Sequence, residues 1–171
     1  MIRSTWQSIQ KNMTWRAVLV AWLVAGTVFL ITNLLLTPIV FDVDSGLLFR
    51  YFASIVLGSD VLVENAPFTV VTGIAVHYAL SGLFTVLVTI VVHRWGLWVG
   101  LIGGGLIGVA IYGINLYLFT RLLNWFEWFS ALESNILLLS HILFGAVAGG
   151  IYELFDHYDE PLVAEVQHER T

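Results

Sequence analysis

Four long stretches of this chain carry no Asp, Glu, Lys or Arg at all: 17–41, 65–93, 95–120 and 134–152. An α-helix rises about 1.5 Å per residue and the hydrocarbon core of a bilayer is about 30 Å thick, so roughly 20 apolar residues suffice to cross it. Each stretch therefore reads as a span. Backbone N–H and C=O groups find no water inside lipid, which selects helix over an open strand. The remaining composition agrees: 58% of the residues are hydrophobic, 11% are charged, and the mean hydropathy is +0.88. The expected fold is all-α, a four-helix transmembrane bundle over 1–155 with spans near 15–38, 67–93, 96–121 and 132–155. An acidic, polar, solvated tail follows over 156–171.

The first span follows Arg3, Lys11 and Arg16 and ends at Thr37-Pro38 without a small-x-small cleavage pattern, so it reads as a retained anchor and not a signal peptide. Pro67 falls in the expected first turn of span two, where its missing N–H costs nothing. His93-Arg94-Trp95-Gly96 is short enough to make spans two and three an antiparallel hairpin.

Between spans one and two, residues 46–58 are apolar but interrupted by Arg50 and Ser54. That segment is too short to cross. With Asp44-Ser45 as an N-cap and Gly58 as a C-cap, it reads as an interfacial or re-entrant amphipathic helix. A second interfacial element is expected over 123–129, where Trp125 and Trp128 suit the headgroup boundary. Both termini on the cytoplasmic side put Arg3, Lys11, Arg16, Arg94 and Arg170 inside and leave Arg50 and Arg121 outside. This predicts a multi-pass protein of the bacterial inner membrane, N-in and C-in, with Arg50 pairing to an outer carboxylate such as Asp42, Asp44, Glu127 or Glu133.

Depth singles out a polar layer. Counted at helical rise, His77 lies about 15 Å along span two and His141 about 14 Å along span four, while Tyr112 and Asn115 lie about 14 and 9 Å from the outer end of span three. Ser81 is one turn beyond His77. Polar groups facing lipid are costly, so His77, Ser81, Tyr112, Asn115 and His141 are expected to face one another as interhelical hydrogen-bonding glue or as a ligand site. The stripes Gly100, Gly104, Gly108 and Gly145, Gly149 are expected to bring helices into close approach.

Several classes of chemistry are excluded or weakened. A net charge of −5 with only seven Lys and Arg offers no basic surface for nucleic acid, and the absence of cysteine removes thiolate metal sites and disulfides. Gly103-Gly104-Gly105 lies inside an apolar helix with no Lys-Ser or Lys-Thr sequel, so it is no phosphate loop, and neither a Gly-x-Ser-x-Gly elbow nor a His-Glu-x-x-His zinc motif occurs. The expectation is a protein that is not an enzyme and needs no metal or other cofactor. One alternative is a b-type haem held by His77 and His141 as axial ligands; another is a small transporter or channel reaching the histidine layer.

The order Arg50-x-x-Ala53-Ser54-Ile55-Val56-Leu57-Gly58, His77 with Ser81, then Gly104, Gly108, Tyr112, Asn115, Tyr117 and Thr120, then Trp125-Phe126 and His141-x-x-Phe144-Gly145 resembles a largely uncharacterised family of small bacterial integral membrane proteins. Some of its members carry a sodium:proline symporter label. The resemblance implies a family fold covering most of the chain from Arg50 to Tyr152, with Asn124 standing where the family has a proline. Four spans leave little room for paired inverted repeats, so the symporter label is not carried over. The expected role is a small subunit or assembly partner of a membrane complex, or a homo-oligomer, in contact with the lipid bilayer.

Overall fold

The computed structural model describes residues 13–63, 66–122 and 135–168, with side chains described as far as Asp156. Four of its helices are long and apolar enough to cross a membrane, and a short helix lies between the first two. The bundle is therefore a multi-pass membrane protein in contact with lipid.

Helix α1 spans Trp15–Phe41 and continues through Pro38, one turn past the expected end. A proline removes a single intrahelical bond, and Asp42, at φ 52°, then closes the helix by donating its N–H to the Pro38 carbonyl. Helix α2 spans Leu47–Leu57. Its cap is Gly46 and not the expected Asp44-Ser45 pair: the Asp44 carboxylate accepts the Gly46 N–H at 3.0 Å, turning the chain one residue before the helix begins. Gly58, at φ 88°, ends it as expected.

Helix α3 spans Thr69–Val92. It begins after Pro67, because Phe68 sits in the left-handed region at φ 66° and cannot belong to the first turn. The hairpin turn then uses positive φ at both Arg94 and Gly96. Helix α4 runs Leu97–Gly113, widens into a π-helical stretch at Ile114–Phe119, and finishes at Thr120–Leu122. Helix α5 spans Asn135–His168, of which Asn135–Asp156 forms the membrane-crossing part. The expected boundary near 155 marks the end of the membrane-crossing part, whereas the helical backbone goes on. The second interfacial element expected over 123–129 lies outside the described residues.

Glycine decides the packing. An added Cβ on Gly104 would stand 2.1 Å from the Gly145 carbonyl oxygen, and one on Gly145 would stand 2.0 Å from the Gly104 oxygen. Gly100 with Gly149 and Gly108 with the His141 carbonyl repeat this contact one turn to each side. Spans three and four thus meet backbone to backbone, the approach that small residues permit in lipid. Across the bundle, α1 turns its Ala17, Ala21, Ala25 stripe inward, and Phe29, one turn further on, reaches His141 and Phe144 of α5. Helix α2 is seated on α3 at Gly73, where a Cβ would stand 2.4 Å from the Phe49 carbonyl oxygen.

Candidate functional site

The intramembrane polar residues occupy two helical faces on either side of one aromatic ring. On α3, His77 is 3% exposed. Its Nε2–H donates to the Gly26 carbonyl of α1 at 2.9 Å, with Ser81 Oγ 3.4 Å from the same nitrogen. An unprotonated Nε2 would set its lone pair against the carbonyl's, so the geometry assigns the proton. On α5, His141 is 6% exposed, and its Nδ1–H donates to the Leu137 carbonyl at 2.8 Å. Its Nε2 therefore carries a lone pair, which receives the Asn115 Nδ2 amide of α4 at 3.3 Å. Tyr112 meets the His141 ring edge-on at 5.6 Å.

Phe29 stands between the two imidazoles. Its ring stacks on His77 at a centroid distance of 5.5 Å and presents an edge to His141 at 5.0 Å. The two histidines share a layer, with the Phe29 ring in contact with both.

Around this layer lies a cavity of about 70 Å³ lined by His77, Ser81, Asn115 and His141 together with apolar and aromatic side chains from every helix. Helix α2 contributes Leu48, Tyr51 and Phe52, and the π-helical stretch of α4 contributes Asn115, Leu116 and Phe119. Burial pushes the Tyr51 phenol above its ordinary range, so it stays protonated there. Tyr112, expected in the same layer, is not among the lining residues and acts through its contact with the His141 ring.

The glycine stripes do not lie on an outer face. Gly100, Gly104 and Gly108 meet Gly145 and Gly149 within the chain. Arg50 pairs with Asp44 at 3.4 Å, one of the expected partners. Arg121 is exposed in the last turn of α4. Trp125 and Trp128 lie outside the described residues.

A second polar cluster was not singled out in the sequence. Glu153, within the expected fourth span but given no role there, is 1% exposed and accepts the Gly96 N–H at 2.7 Å, capping α4 from a neighbouring helix. Beside it, Tyr152 Oη and His93 Nδ1 share a 2.6 Å hydrogen bond, His93 pairs with Asp156 at 3.6 Å, and the Thr14 hydroxyl donates to Asp156. The signal was present: Glu153 continues the Gly145, Gly149 stripe by one more step of four, which aims it at α4. Thr14 and Asp156 meet here, so the start of span one and the end of span four lie at the same end of the bundle. Trp95 and Trp98 are exposed at this end, as an interfacial belt requires.

No family model matches the chain, and neither a curated protein nor a solved structure matches it.

Proposed function

We propose that this chain is a non-catalytic membrane protein that works by binding, and that the cavity beneath α2 holds a small, largely apolar molecule. The observation that carries this reading is the cavity itself. A recess of about 70 Å³, partly open at the surface of the bundle, lies in the layer where the polar side chains gather, and a concave, mostly apolar site with a few convergent polar groups is the usual form of a small-molecule pocket. The histidines support binding over catalysis, since each is held by a backbone carbonyl and, among the described residues, neither is paired with a carboxylate. Xenon is the direct probe. NMR of ¹²⁹Xe with the protein in lipid discs should show saturable binding that Ile111→Phe, a lining substitution, abolishes. Wild-type protein indistinguishable from empty discs would refute the proposal.

A b-type haem shared by His77 and His141 has less support, because His77 Nε2 is engaged by the Gly26 carbonyl and the Phe29 ring packs against both imidazoles. Transport through the same cavity would be revealed by solute flux in proteoliposomes.

Association is the second reading, as a subunit of a membrane complex or a homo-oligomer. It no longer draws on the glycine stripes, which are satisfied within the chain. Its support is the group of exposed apolar side chains at the α2 end, Val56, Leu57, Val63 and Phe68. Native mass spectrometry after mild extraction tests it, and a lone monomer across several detergents and lipid discs argues against it. Membership of the small bacterial family, placement in the inner membrane and cytoplasmic termini belong to the same proposal, supported by the motif order and the distribution of Lys and Arg.

A further inference from the structure

We infer that the cavity selects a neutral, largely apolar molecule ending in a hydroxyl, with His141 and Asn115 as the pair that reads the hydroxyl. The inference rests on the binding reading above and adds the chemistry of the ligand.

The hydrogen-bond inventory sets the terms. His141 Nδ1–H is committed to the Leu137 carbonyl, so Nε2 is an acceptor. Its partner, Asn115 Nδ2, lies 3.3 Å away, beyond the usual N–H···N or N–H···O optimum of about 2.9–3.0 Å. A hydroxyl entering from the cavity, with the Asn115 amide swung aside to admit it, donates to His141 Nε2 and accepts from that amide, exchanging one long bond for two of ordinary length. Asn115 also sits on the π-helical stretch Ile114–Phe119, a local widening that recurs at functional sites because it re-aims side chains from a helix. Geometry and local backbone therefore single out the same residue.

Charge and size restrict the rest of the ligand. Among the described residues the lining contains no Asp, Glu, Lys or Arg, so an ionised head would meet no counter-charge from them. The volume of about 70 Å³ is roughly half that of the engineered ~150 Å³ cavity that admits benzene. It accommodates the hydroxyl end of a molecule and a few carbons. The remainder leaves past the half-buried Leu48, Phe52 and Phe119, which border the cavity on the α2 side.

Decan-1-ol, decane and decanoate, titrated into the full-length protein in lipid discs and corrected for partition into empty discs, separate the possibilities. Decan-1-ol should bind about five- to tenfold tighter than decane, the value of roughly one additional net hydrogen bond. In protein carrying ¹⁵N-histidine, its binding should move the Nε2 resonance of His141, a signature that needs no variant. The double variant His141→Phe/Asn115→Leu, which removes both partners of the hydroxyl, should bring the alcohol and the alkane to within about twofold of each other while decane still binds. Equal binding of decane and decan-1-ol by the wild type would overturn the hydroxyl preference and leave the binding reading standing. Tighter binding of decanoate would overturn neutrality. Failure of all three probes in protein that takes up xenon would overturn the ligand class alone, whereas failure of xenon as well would remove the binding reading with it.

Discussion

Adjacent glycines on α4 give the packing argument its sharpest test. Gly104 faces the Gly145 carbonyl oxygen, 2.1 Å from where a Cβ would stand, while Gly103, one residue earlier, would place its Cβ 3.6 Å from the Val92 side chain. Alanine at 103 meets ordinary van der Waals contact. Alanine at 104 requires α4 and α5 to separate by about 1 Å, and dispersion falls off steeply over such a gap. The seam also carries Gly100 against Gly149 and Gly108 against His141, so a local separation loosens contacts over two further turns. Overpacking of this kind costs about 1–3 kcal/mol. Gly103→Ala lies between neutrality and a gain of up to about 1 kcal/mol, because alanine orders a helix at lower entropy cost than glycine. Reversible unfolding in mixed micelles with increasing SDS fraction, followed by circular dichroism, measures both. Equal midpoints for the two variants would show that the seam is not the constraint it is taken to be.

The cap that α5 provides to α4 predicts a graded series at Glu153. Glu153→Ala should cost about 1–2 kcal/mol in the same assay by orphaning the Gly96 N–H, and Glu153→Gln, which keeps an acceptor, should recover at least half; parity of Ala with wild type would contradict the cap. With His77 Nε2 held by the Gly26 carbonyl and Phe29 packed against both imidazoles, protein purified after expression with haem available should show no Soret or α-band in a reduced-minus-oxidised spectrum, and a stoichiometric b-type spectrum would overturn that reading. The chain has no cysteine, so single-cysteine labelling reports orientation directly. In intact cells a membrane-impermeant maleimide should modify Ser59→Cys and reach Trp95→Cys only after lysis; the reverse pattern would invert the topology.

The spans were legible because their limits are set by charge: Arg16, Asp42, Glu64, Arg94, Arg121, Glu133 and Glu153 bracket them, and lipid admits few alternatives to a helix. The common layer of His77 and His141 was legible from depth alone, since helical rise converts position into height. Rotation was harder to read. Phe29 looks like any apolar residue of span one, and only the packing of α1 against both α3 and α5 places its ring between two imidazoles. The left-handed Phe68 and the π-helical stretch at Ile114–Phe119 are tertiary outcomes in which no glycine or proline at the position itself announces the backbone. Glu153 drew no role because a carboxylate after a long apolar run ordinarily meets water, whereas here the first turn of α4 supplies a donor within reach.

Backbone-to-backbone contact along Gly100, Gly104 and Gly108 has a mechanical corollary. Two helices locked at that distance have no side-chain cushion to slide over, so spans three and four behave as a single beam. On the binding reading, room for a ligand would then have to come from the other wall, the first span or the short helix seated on Gly73.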